Sequence, residues 1–350
     1  MYRNLIERRN EVSRFELTDI HPQLKFGTAS DRYAAWIGQV YSDVWQDQIE
    51  TRSKKMETGT FTERTLPVAS VTEYFQHFST LETDFTFYRT LLEPNGTPTS
   101  VFYNLRQYAE HAPPEAKFLV KAPQQFFARV LRRSRKGGPI LYEKNPNFLD
   151  TASYNKLFLA PLYELLGDRL VGVLLQQEYQ RKSESPLPAE FVAELDAFFR
   201  GINLDIQHHI EIRSEHLLLP AYFDLLHRHE IGFVFSHWTY LPPIRTQWDR
   251  CGHFFSAKDN QVILRLLTPL QMNYAEAFRL AYPFEKAVPE LSQTVRAATM
   301  VNEATALAYQ AIANQKVLHV VANNRAWGNS PCLNQAIANR FLDFAEKKGA

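Results

Sequence analysis

Short apolar runs in this 350-residue chain end, one after another, on a charged or amide side chain. Those ends supply the residues from which chemistry can be built: Glu82 and Asp84, Lys121, Gln176, Glu211 with Arg213, Arg265, and Asn323 with Asn324. Glu82 and Glu211 are the candidate general acid and base, because a positioned carboxyl group can give or take a proton in a transition state. Arg213, Arg265, Lys121 and Arg89 suit an anionic group, which guanidinium forks and ammonium groups hold by charge-assisted hydrogen bonds. Gln176, Asn323 and Asn324 would orient a ligand by hydrogen bonding, and Tyr88 would close one wall. The opposing reading is a self-satisfied network that closes the top of a fold, since buried charges must be paired whatever their use. Two facing carboxylates also meet the first requirement of glycoside hydrolysis, although glutamates that end barrel strands are common.

A metal site would draw on Glu82, Asp84, His209 and Glu211, with His237 beside them, but the interleaved arginines and lysine compete for the same carboxylates. No metal is expected. No cofactor is expected either: the chain has no P-loop, no G-x-G-x-x-G after its first strand and no G-x-S-x-G.

The elements that must position these residues follow from periodicity. Strands are expected at 25–29, 80–83, 118–121, 171–176, 209–213, 232–235, 262–266 and 318–322. Strand side chains alternate between faces. In HHIEIR, Ile210 and Ile212 share the face that packs on helices, which turns His209, Glu211 and Arg213 inward. The same parity turns Glu82, Lys121, Gln176, Arg265 and Asn323 inward. Between the strands, apolar residues recur at helical spacing over 68–78, 101–111, 154–166, 189–199, 217–229, 295–315 and 333–347. Strands alternating with helices predict right-handed crossovers and a parallel sheet. Eight such units predict a single α/β domain over 1–350, a (β/α)8 TIM-type barrel. Its excess length falls in three βα connections, 31–65, 123–151 and 237–261, on the face where barrel enzymes build their sites.

A net charge of +1 gives no global attraction to nucleic acid or anionic membranes. The basic run from Arg129 to Lys136, with Phe126 and Phe127 beside it, is the local exception. It could grip a phosphate backbone, against the plainer reading of a solvated loop. The five tryptophans all fall in or near βα connections, where they suit aromatic walls or plugs under long loops. The N-terminus lacks an apolar signal-peptide core, and no run approaches the ~20 apolar residues of a membrane span. Cys251 and Cys332 form no C-x-x-C pair, which predicts neither a disulfide framework nor a thiolate metal site. The expected location is cytoplasmic, with no membrane partner.

The same residues carry a resemblance. GTAS at 27–30, TLETDFTFYR at 80–89, FLVKAP at 118–123, GVLLQ at 172–176, IEIRSE at 210–215, ILRLL at 263–267 and VANNRAWGNSPCLNQA at 321–336 resemble the YecE-like family, domain of unknown function 72, in order and spacing. The resemblance implies a TIM barrel with no established activity. It places Glu82, Phe87, Tyr88, Arg89, Lys121, Gln176, Glu211, Arg213, Arg265, Asn323 and Asn324 at the family's most characteristic positions. The chain departs from the pattern at Asp84-Phe85, Phe126-Phe127, Gln177-Glu178-Tyr179 and Leu267-Thr268, losing two expected histidines. It therefore resembles a divergent member, with an altered ligand or a degenerate site that serves partner binding as further readings.

Overall fold

The computed structural model describes residues 5–56, 59–134, 140–203 and 205–347. Twelve strands are present among them: β1 (Leu24–Ala29), β2 (Glu50–Met56), β3 (Gly59–Thr65), β4 (Thr80–Thr83), β5 (Lys117–Lys121), β6 (Val130–Ser134), β7 (Ile140–Lys144), β8 (Leu170–Gln176), β9 (His208–Glu211), β10 (Gly232–His237), β11 (Gln261–Leu266) and β12 (Val317–Ala322). Eight of them, β1, β4, β5, β8, β9, β10, β11 and β12, close a barrel in that order, with every pairing parallel. The helices Val71–His77, Ser100–His111, Ala160–Leu166, Pro188–Gly201, Pro220–Arg228, Ile244–Arg250, Val295–Ala313 and Ser330–Lys347 return the chain after successive barrel strands. This is the (β/α)8 arrangement that the alternating sequence pattern predicts. No helix among the described residues is long and apolar enough to cross a membrane.

Two of the three long connections contain antiparallel hairpins that periodicity did not reveal. Strands β2 and β3 pair from Glu50↔Thr65 to Met56↔Gly59, and β6 pairs with β7. A hairpin that packs through few side chains, as β2–β3 does through Phe61, need not show the alternation of apolar and polar residues that a half-buried strand does.

The barrel strands bury one face against the helices and the other against one another. Phe26, Leu81, Phe118, Val173, Ile210, Phe235, Leu264 and Val320 belong to the outer core. Ala29, Leu119, Val171, Leu174, Val234, Ile263 and Val321 form a separate apolar cluster inside the barrel. Below the mouth, level with the cluster residues Leu174 and Ile263, the interior is unusual. His209 is fully buried, and a Cβ on Gly172 or Gly232 would stand 2.7 or 2.1 Å from its ring. The two glycines on the flanking strands thus leave the volume that the imidazole fills. His319 bonds Thr80 Oγ1 at 2.7 Å and Gln261 Oε1 at 2.5 Å in the same lower region.

Burial favours the neutral imidazole, pushing His208, His209 and His319 down to about 4, 3 and 3. The unfolded chain takes up these protons near pH 6.5, and the folded chain does not. Stability is therefore lost as pH falls below 6.5, on the order of 1 kcal/mol per group per pH unit until each folded value is reached. Urea denaturation at pH 7 and pH 5 should show this loss, reduced in His209→Gln; equal acid sensitivity in the two proteins would contradict it.

Candidate functional site

Two residues beyond the interior apolar cluster, on the same inward parity, stands a polar layer. Leu119 leads to Lys121, Leu174 to Gln176, Val234 to Ser236, Ile263 to Arg265, Val321 to Asn323 and His209 to Glu211. At its centre the Arg265 guanidinium reaches across the barrel. Nε and Nη2 donate to Glu82 Oε2 and Oε1 at 2.7 and 2.6 Å, and Nη1 donates to Glu211 Oε2 at 2.6 Å. All three side chains are at least 98% buried. Glu211 Oε2 also accepts from Arg213 Nε at 3.0 Å, and its Oε1 accepts from the Ser236 hydroxyl at 2.7 Å. Arg213 completes the chain by donating from Nη2 to Gln176 Oε1 at 2.9 Å, with its guanidinium 4.9 Å from the Trp238 ring.

These contacts fix the protonation of the layer. Burial alone would raise Glu211, but Arg265 and then Arg213 override it and hold the carboxylate down at about 2. Glu211 therefore enters any reaction at neutral pH as an anion. Lys121 is the group left over. Its backbone carbonyl accepts from the Thr86 hydroxyl, but its buried ammonium, 4.2 Å above the Phe87 ring, makes no hydrogen bond or ion pair among the described residues. Burial first, and the Arg265 charge second, push its pKa down to about 8. Glu82 and Asp84 oppose that fall by their charge, so the layer holds three cations, Arg265, Arg213 and Lys121, against the carboxylates Glu82 and Glu211, with Asp84 at its edge.

Other sequence-derived candidates are placed differently. Tyr88 is 73% exposed and lines the mouth cavity described below, and Arg89 lies outside the layer in an ion pair with Glu93. The side-chain oxygen of Asn324 accepts from the Ser330 backbone N–H at 2.8 Å and from its hydroxyl at 3.0 Å. Asn323 accepts from the Arg325 backbone N–H and lines the cavity described next. His209 lies beneath the layer, and His237 holds the Thr268 carbonyl at 2.8 Å. Among the described residues no group of three or more His, Cys, Asp or Glu side chains is placed to hold a metal. In the basic run, Arg129 is paired with Glu194 and lies 4.5 Å from the Phe148 ring. The side chains of Arg132, Arg133, Arg135 and Lys136 lie outside the described residues. Phe126 and Phe127 are buried in the core, which removes them as stacking surfaces for a base.

A cavity of about 540 Å³ opens at the mouth beside this layer, between the ends of β1 and β4. Glu82 and Asn323 connect it to the layer, and residues of the β2–β3 hairpin, including Phe61, form its outer wall. Phe61 packs edge-on against Phe278 and Tyr282, and the Tyr282 hydroxyl donates to the Thr62 carbonyl at 2.9 Å. Asp31 lines the cavity and was not among the sequence-derived candidates. Its Oδ1 accepts from the Tyr108 hydroxyl at 2.7 Å, whereas Oδ2 is buried without a hydrogen-bond partner. Burial raises its pKa to about 6 against the opposing Tyr108 hydrogen bond and Arg32 charge, with Asp84 adding to the rise.

A family model described as protein of unknown function DUF72 matches residues 26–347. The chain belongs to this family. A DUF72 family protein from Thermotoga maritima has a similar structure, with 15% identity, a TM-score of 0.51, and 93% of this chain and 99% of that one covered. A DUF72 family protein from Enterococcus faecalis is similar at 14% identity and a TM-score of 0.50, covering 91% of this chain and 95% of that one. At these identities the DUF72 likeness supports the fold, and function must be argued from the site. No curated protein sequence matches the chain significantly.

Proposed function

We propose that this one-domain barrel is an enzyme-like protein that binds a small anionic ligand at its C-terminal mouth. The observation that carries the reading is Lys121, a buried cation whose ammonium has no direct hydrogen bond or ion pair among the described residues, while Glu82 and Asp84 act on it only through their charge and the other four charges of the layer are mutually engaged. A buried ammonium without a direct partner is costly, and an anion that pairs with it lowers that cost. Arg213, with 18% of its side chain exposed, is the second donor available from the layer. Gln176 orients Arg213, and Asn323 lies where the layer meets the cavity. Glu82 and Glu211 remain the candidates for proton transfer, with Glu211 acting as base or charge rather than as acid.

A nucleic-acid partner draws less support, because Arg129 is engaged by Glu194 and the neighbouring phenylalanines are buried. A degenerate barrel that serves only as a partner-binding scaffold gives no account of a core ammonium left without a direct partner. Calorimetric titration with inorganic phosphate, sulfate and small carboxylates tests the proposal. At least one anion should bind the wild type, and Arg213→Gln should weaken it about tenfold or more, as loss of a charge-assisted bond predicts. A wild type that binds none of them at millimolar concentration contradicts it.

A further inference from the structure

We infer that the cavity between β1 and β4 is a subsite for a polyhydroxylated ring, a sugar or cyclitol, whose anionic substituent occupies the cationic layer. The inference deepens the anion-binding reading and rests on it for the second half of the ligand.

The volume of about 540 Å³ falls within the ~300–1,000 Å³ of small-molecule sites. Two features of the lining select the class. Aromatic rings supply the walls, among them Tyr33, Phe61, Tyr274 and Phe278, and such faces accept the C–H faces of a saturated ring. Between them stand groups of opposite hydrogen-bonding character. Asp31 and Asp84 present carboxyl oxygens, whereas Arg325, stacked 4.3 Å from the Tyr274 ring, is a donor only. A hydroxyl both donates and accepts, so a ring carrying several of them can satisfy both kinds at once. A purely apolar ligand would leave the carboxylates and guanidinium without partners.

Asp31 makes the argument specific. It is 3% exposed, Tyr108 fixes one of its oxygens, and the other is buried with no partner. Buried polar atoms are normally paired, and an orphan at a cavity wall marks the place where a ligand group completes the set. The cavity meets the cationic layer at Glu82 and Asn323. The ring then lies against Asp31, and the anionic group reaches past Glu82 and Asn323 toward Lys121 and Arg213, which stand outside the cavity lining.

The test is calorimetric titration of the full chain with inorganic phosphate, glucose 6-phosphate, ribose 5-phosphate, inositol 1-phosphate, and free glucose and inositol. At least one ring phosphate should bind tenfold or more tightly than inorganic phosphate. Asp31→Asn, which keeps the oxygen that Tyr108 holds, should reduce that ratio about tenfold. Phe61→Ala, a hairpin change outside the barrel core, should reduce it as well. Ring phosphates no tighter than phosphate, with free rings silent, would overturn the inference, as would a ratio that neither variant moves. Binding of a free ring, sensitive to Asp31→Asn, in a protein that ignores inorganic phosphate would sustain the subsite and sink the anion reading instead.

Discussion

Arg265→Met should lower the stability of the barrel by about 3–5 kcal/mol, the range for stranding a buried charge by deleting its partner. The variant leaves Glu82 and Glu211 facing each other in an interior where each is almost fully screened from water. Methionine fills most of the volume, so packing loss is a minor part of the effect. Urea denaturation measures it directly. Combining Arg265→Met with Glu82→Gln and Glu211→Gln should recover most of the loss, because amides cost far less to bury than carboxylates. A single variant within 1 kcal/mol of wild type would show that this triad does not hold the mouth together. Glu211 adds a pH signature. Its folded value, about 2, lies below its unfolded value near 4.5. The stability it contributes is therefore complete above pH 4.5 and disappears as pH falls toward 2.

The second large effect falls on Lys121. Anion affinity should be strongest below pH 8 and fall about tenfold per pH unit above it, where the ammonium that attracts the ligand loses its proton. Lys121→Met should bind at least tenfold more weakly at pH 7 and lose that pH dependence. Its stability should move the other way. Below about pH 8 both folded and unfolded chains hold the proton, and the fold bears the burden of a desolvated cation. Between about 8 and 10.5 only the unfolded chain still binds the proton, so stability rises with pH across that window. The variant should accordingly match or exceed the wild type at pH 7, and the difference should narrow toward pH 10.5. Loss of both stability and binding on substitution would mean that Lys121 is a structural group.

The barrel was legible because strand parity is a local property. The segment 80–83 coincides with β4, and Glu211 ends β9 on the inward face that HHIEIR predicts. The same logic brought Glu82, Lys121, Gln176 and Arg265 into one layer from stretches far apart in sequence. It failed where the backbone leaves the strand. Asp31 lies two residues past Ala29, but Ser30 between them has a φ of +75°, a left-handed conformation that no alternation rule anticipates. Arg89 follows the short helix Phe85–Tyr88, which carries it out of the layer to Glu93. The β2–β3 hairpin is mostly polar, with Phe61 as its packed aromatic, so the wall of the cavity left no periodic trace in the sequence.

The anion reading turns on Lys121 being a cation without a direct partner that an anion completes, and its titration curve tests that most directly. In protein labelled with ¹³C-lysine, the Lys121 Cε resonance, assigned by its disappearance in Lys121→Met, can be followed from pH 6 to 11 with and without saturating phosphate. The midpoint should lie near 8 without phosphate and rise by about one unit or more when phosphate is bound, since a paired anion favours the charged form. An ordinary midpoint near 10.5, or one that phosphate leaves unmoved, would contradict it.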